Sequence, residues 1–191
     1  MTILLMIYHY FNKTSGLTSE NILSNRSYQR WFIELESNVP AFGDSTGTYM
    51  KDIIAYGPSV YDLVAVYESV AIENFENAIG KYSALRVYYP PATIVSDHPF
   101  CILDAEWVDE EERQAAQKFI DFLLQPEHQQ LALNKYGYRP SEASISLDGA
   151  GSLFLRYKDS GFRINLPPEI DLPDGATLNT LIDFWARNID R

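Results

Sequence analysis

Helix-spaced apolar positions recur along most of the chain, separated by a few short runs that are apolar without interruption. Residues 1 to 11, MTILLMIYHYF, read as a buried helix or strand. The run is too short to span a bilayer and carries neither the basic start nor the small-residue cleavage site of a signal peptide. After the turn residues NKTSG comes LTSENILSNRSYQRWFIELESN, where Thr18 or Ser19 is placed to cap a helix. Its apolar positions are Ile22, Leu23, Trp31, Phe32 and Leu35, and Ser24 to Ser27 break it into two helices or one interrupted one. In FGDSTGTYMKDIIAYGP, Asp44 or Ser45 caps a short helix running to about Ala55, and Gly57 suits a left-handed helix end.

YDLVAVY, residues 61 to 67, has the near-continuous β-former pattern of a strand buried on both faces of a parallel sheet. ESVAIENFENAIGKY then predicts helix and ALRVYYP a second strand, the alternation of an α/β architecture. Pro90 and Pro91 close this half, and VSDHPFCIL opens an extended segment near a lobe boundary. The next stretch, AAQKFIDFLLQPEHQQLALNKYGYRP, joins two helices through a Pro-led turn. Carboxylates at 109 to 112 suit the positive end of the first helix, and Ala116, Phe119, Ile120 and Leu123 share one face. Pro126 fits the first turn of the second helix; Gly137 ends it and Pro140 forbids its continuation. GFRINLP predicts a further strand. ATLNTLIDFWARNID predicts a last helix, apolar at Leu178, Leu181, Ile182 and Trp185.

With 191 residues, 46% of them apolar, the chain has material for one ordinary domain or two small lobes. Fifteen Lys and Arg against 26 Asp and Glu give a net charge of -11, which argues against nucleic acid as a partner. Cys101 is the single cysteine, so an internal disulfide and a multi-cysteine metal site are excluded. No P-loop, dinucleotide-binding glycine signature, nucleophile elbow or HExxH motif occurs, and enzymatic function has no support among the motifs. No metal ligands or cofactor are assigned either. His98 and Cys101 read as a buried structural pair, His9 and His128 as structural, and the acidic run at 106 to 112 as a solvated helix start rather than a calcium loop. Arg139 is weighed between gripping a carboxylate and serving helix-end carbonyls, and the second role is preferred. The triplets Asn12-Lys-Thr and Asn25-Arg-Ser match the glycosylation acceptor but are short enough to arise by chance.

The stretch from DHPFCILDAEW through the helix-Pro-helix-Gly-Tyr-Arg-Pro run resembles the C-terminal part of extracellular solute-binding proteins with the type II periplasmic-binding fold. The likeness is nearest to the molybdate-like branch, including versions found beside von Willebrand A domains, and extends through YDLVAVYESVAI, YYPPAT and LNTLIDFWARN. It implies an α/β fold of one complete lobe plus the C-terminal part of the other. Residues 1 to 92 would form lobe two and 93 to 191 the return into lobe one, with the N-terminal portion of lobe one missing. The abrupt apolar start fits an expectation that something normally precedes it.

The resemblance implies capture of a small polar solute between two lobes for ABC-type transport or sensing, outside the cytoplasm, and no catalytic or membrane-inserted role. A transporter permease, a von Willebrand A-type domain or a second copy of the chain are the candidate protein partners. The alternative is a ligand-free interaction module that homodimerises or pairs with a chain supplying the missing lobe. GDSTG, at a helix start, offers Ser45 and Thr46 as hydrogen-bond donors. Tyr67, Glu68 and Ser69 follow the predicted strand, where ligands of open α/β sheets sit, and in the resembled family this is near the crossover between lobes. A cleft-facing Glu68 would repel an oxyanion and favour a cationic or hydroxyl-bearing ligand.

Overall fold

The computed structural model describes residues 2–13, 17–40 and 45–189, and these are predominantly helical. In chain order the helices are α1 (Thr2–Tyr10), α2 (Ser19–Ser24), α3 (Arg26–Ser37), α4 (Thr46–Tyr56), α5 (Glu68–Asn74), α6 (Glu110–Leu124), α7 (Pro126–Tyr136), α8 (Leu153–Arg156) and α9 (Gly175–Asn188). Caps explain most of these boundaries. Thr18 accepts the Asn21 N–H to start α2. Asn25 closes α2 and opens α3, its side chain accepting the N–H groups of Ser27 and Tyr28. The break expected around Ser24 to Ser27 is therefore one asparagine serving two helices. Ser45 caps α4 by accepting the Thr48 N–H; Asp44, the other expected cap, lies outside the described residues, as does the Thr14–Gly16 part of the NKTSG turn.

Two compact units are interleaved in sequence. The first comprises the described parts of Met1–Asp44, Tyr89–Val95 and Pro167–Arg191, the second Ser45–Tyr88 and Ser96–Leu166, so each draws on both sides of residue 92. In the first unit α1, α2, α3 and α9 enclose Ile7, Ile22, Tyr28, Phe32, Leu181 and Ile189. Leu23 and Ile182, apolar positions of α2 and α9, face solvent instead. Burial, then the nearby Glu36 carboxylate and Tyr10, hold the Tyr28 phenol well above its usual range.

Asp174 starts α9 by accepting the Thr177 N–H at 2.7 Å, and this bond, with the Thr177 side chain, lowers the carboxyl below its usual value. A carboxyl lowered in the folded state adds stability above the unfolded-state value, and that contribution is lost as pH falls through the folded one. Asp174→Asn is accordingly expected to be less stable than the natural chain near neutrality, and the two thermal midpoints should converge as the buffer is taken below the ordinary aspartate range.

The second unit holds two packed clusters. Ala71, Ile72, Phe75, Leu133, Leu153, Phe154, Tyr157 and Phe162 form the larger, and Met50, Ile53 and Ile54 of α4 the smaller. Asp109 and Glu112 form a reciprocal capping box at the start of α6, Pro126 occupies the first turn of α7, and Gly137 ends α7 in the left-handed region at φ 70°, ψ 20°. A Cβ at Gly137 would overlap Ile72 of α5, so this glycine serves both the turn and the close approach of the two helices.

The runs 61–67, 84–90 and 161–167, read as strands from their composition, form no ladder. Among the described residues the pairing is one isolated parallel bridge, Thr93 with Glu169 in the first unit. Apolar content marks a segment for burial but not the partner that turns it into a strand. Val64, Val66, Leu85 and Val87 satisfy their burial by lying against the helical clusters as irregular extended chain, while Leu63 is exposed.

Candidate functional site

Gly137 turns the chain out of α7 so that Tyr138, Arg139 and Pro140 leave beside α5. There Arg139 meets Glu68, the first residue of α5, in a bidentate fork: Nε donates to Oε2 at 2.7 Å and Nη2 to Oε1 at 2.8 Å. The same guanidinium donates through Nη1 to the Ile164 carbonyl and through Nη2 to the Arg163 carbonyl, both at 2.6 Å. Its carbon lies 4.8 Å from the centre of the buried Phe154 ring. About a fifth of each charged side chain is exposed, 21% for Arg139 and 20% for Glu68. Glu68 also sits at the positive end of α5. One arginine thus ties together residues 68, 139 and 163–164.

Beside this clasp, Tyr67 precedes α5 in extended conformation, makes no side-chain cap and is 45% exposed, while Ser69 is half-buried. The corner combines a balanced ion pair with a phenol and an aliphatic hydroxyl. It is suited to hydrogen bonding.

The five residues marked in the sequence are not equivalent. Tyr67, Glu68 and Ser69 are consecutive at the start of α5, and of the three Glu68 contacts Arg139. Ser45 and Thr46 start α4, where Ser45 Oγ is engaged by the Thr48 N–H at 3.2 Å and the Thr48 hydroxyl at 2.9 Å. Arg139 is the residue that the reading of the sequence undervalued: it grips a carboxylate, and the carbonyls it serves belong to residues 163 and 164 rather than to α7. Its position just after a glycine-terminated helix was the available signal.

His98 and Cys101, expected as a buried pair, are both exposed. They ride on the irregular segment before α6, where no ladder covers them. His98 Nδ1 lies 2.9 Å from the Asp97 carbonyl and its ring 5.6 Å from that of Tyr138. His128 Nδ1 lies 2.7 Å from the Phe122 carbonyl. Among the described residues no group of three or more His, Cys, Asp and Glu side chains is arranged to hold a metal ion.

The model of the family described as bacterial extracellular solute-binding protein matches residues 5–139, more than two thirds of the chain, from α1 to the clasp arginine. The chain belongs to this family of solute-binding proteins. No curated protein and no solved structure matches it. Membership gives the solute-binding chain ligand binding as its general activity, and the matched span contains Tyr67, Glu68, Ser69 and Arg139. Among the described residues of this solute-binding protein, no helix is long and apolar enough to cross a membrane.

Proposed function

We propose that this solute-binding protein takes up a small, uncharged, hydroxyl-bearing solute at the start of α5, with Tyr67 and Ser69 as its hydrogen-bonding side chains and Glu68 and Arg139 as the frame that positions them. The observation that carries the reading is the bidentate Glu68–Arg139 pair. A lone carboxylate there would repel oxyanions and attract cations, whereas the guanidinium fork cancels that preference. What it leaves is a charge-balanced surface on which neutral polar groups incur the least desolvation. Ser45 and Thr46 enter only as further donors at the start of α4.

The type II, molybdate-like likeness supports a finer form of the proposal, in which two α/β lobes close on the solute and deliver it to an ABC-type transporter or sensor outside the cytoplasm. Contacts that favour the closed state would drive that closure. The family's solute-binding character favours a receptor over an enzyme.

Thermal unfolding in the presence of sugars and polyols, amino acids and oxyanions tests the solute class. A member of the first group is expected to stabilise the natural chain, by about 2.7 kcal/mol at a hundredfold excess over its Kd. The Tyr67→Ala, Ser69→Ala double variant is expected to bind that solute at least tenfold more weakly. If stabilisation comes only from oxyanions, or survives the double change undiminished, the assignment of the corner is wrong.

A further inference from the structure

The second unit exposes an apolar stripe that the solute-binding corner does not use. α6 has no buried residue, although its sequence is amphipathic. Ala116, Ile120 and Leu123 are half-buried, and α6 packs against α7. Phe119 and Phe122, neighbours at i, i+3 spacing, remain 51% and 47% exposed. Phe100, from the irregular segment before the helix, sets its ring 5.8 Å from that of Phe119 and is itself largely exposed. Three phenylalanines thus share a continuous surface, an arrangement that marks an interaction site more often than chance exposure does.

Charge identifies the kind of occupant. Residues 96 to 124, which carry the stripe, contain eight carboxylates and two cations, and one of those cations, Arg113, is already paired with Asp104 at 2.9 Å. A second copy laid on the stripe face to face would bring two strongly acidic surfaces together, which like-charge repulsion disfavours within a Debye length of about 8 Å at physiological salt. A basic counterpart would be drawn to the same surface. We propose that the Phe100–Phe119–Phe122 stripe is the docking surface for a partner protein's amphipathic helix whose apolar face is bordered by lysine and arginine. The aromatic rings supply the anchoring area, and the excess of carboxylates in the same segment, Glu111 and Glu112 on the stripe's side of α6 among them, favours the rate of encounter.

The probe is a labelled synthetic 18-residue helix with leucines on one face and lysines along its borders, together with a twin in which every lysine is glutamate. Fluorescence anisotropy reads binding to the intact chain. The lysine peptide is expected to bind and the glutamate twin not to. Phe119→Ser with Phe122→Ser should weaken binding at least tenfold. Both positions are exposed, so circular dichroism should show the fold retained. Glu106→Lys with Glu111→Lys, which leaves the rings in place, should weaken it by a similar factor. The proposal is overturned if the lysine peptide does not bind, or if the phenylalanine changes leave its affinity as it was, since binding would then be charge attraction alone. It is equally overturned if sedimentation velocity shows a dimer of the natural chain that the phenylalanine changes dissolve, because the occupant would then be a second copy.

Discussion

Phe154→Ala is expected to lower the stability of the second unit by about 4 kcal/mol, the cost of emptying a well-packed aromatic site. Phe154 is 1% exposed and lies in the cluster of Ile72, Phe75, Leu133 and Phe162, so the surrounding helices have little freedom to collapse into the space. It is also the ring beneath the Arg139 guanidinium. The deletion therefore removes core volume and the floor of the clasp together. Amide hydrogen exchange in α7 and α8 reads the result locally: protection should fall together in both helices, while α3 and α9 of the first unit keep theirs. Retained protection in α7 would mean that Phe154 does not hold the cluster as its burial implies.

Arg139→Ala is expected to cost about 3 kcal/mol, because it removes the bidentate fork from Glu68 and a charged donor from two carbonyls in a partly buried setting. Glu68→Gln should cost less, about 1.5 kcal/mol, since the amide oxygen still accepts one of the two bonds. Arg139→Lys should recover little of the loss, as a single ammonium cannot reproduce the fork and reach residues 163 and 164 as well. A double-mutant cycle with Phe154 should give a coupling of about 1 kcal/mol from the cation–ring contact. Urea unfolding followed by near-ultraviolet circular dichroism supplies the stabilities of the natural chain, the single variants and the double variant. Equal loss in Arg139→Lys and Glu68→Gln, with none in Arg139→Ala, would contradict the clasp.

What the sequence made legible was local chemistry. Thr18, Ser45, the acidic residues 109 to 112 at the start of α6, Pro126 and Gly137 each act within one turn of their own helix, and each stands where its residue type demands. The Gly137 position illustrates the limit of that reading. Its place at the end of α7 followed from the pattern, but its close approach to Ile72 joins residues 65 positions apart and had no local mark. The same holds for the clasp, since Glu68 and Arg139 are separated by 71 positions. The strand readings failed for a related reason. A β-strand is defined by its neighbour, and Val64, Val66, Leu85 and Val87 of the runs 61–67 and 84–90 are partly buried against helical clusters instead, while Leu63 and Tyr88 stay exposed. His98 and Cys101 were misjudged because residue-type averages favour burial for cysteine, whereas the segment that carries them lies on the surface.

The central claim is that the start of α5 receives an uncharged polar solute. Native mass spectrometry after incubation with a pooled set of sugars and polyols tests it most directly, with the Tyr67→Ala, Ser69→Ala variant run beside the natural chain. The account predicts one small adduct per chain for the natural protein and its loss, or a tenfold weaker occupancy, in the variant. An adduct retained equally by both proteins, or no adduct on the natural chain, would contradict it.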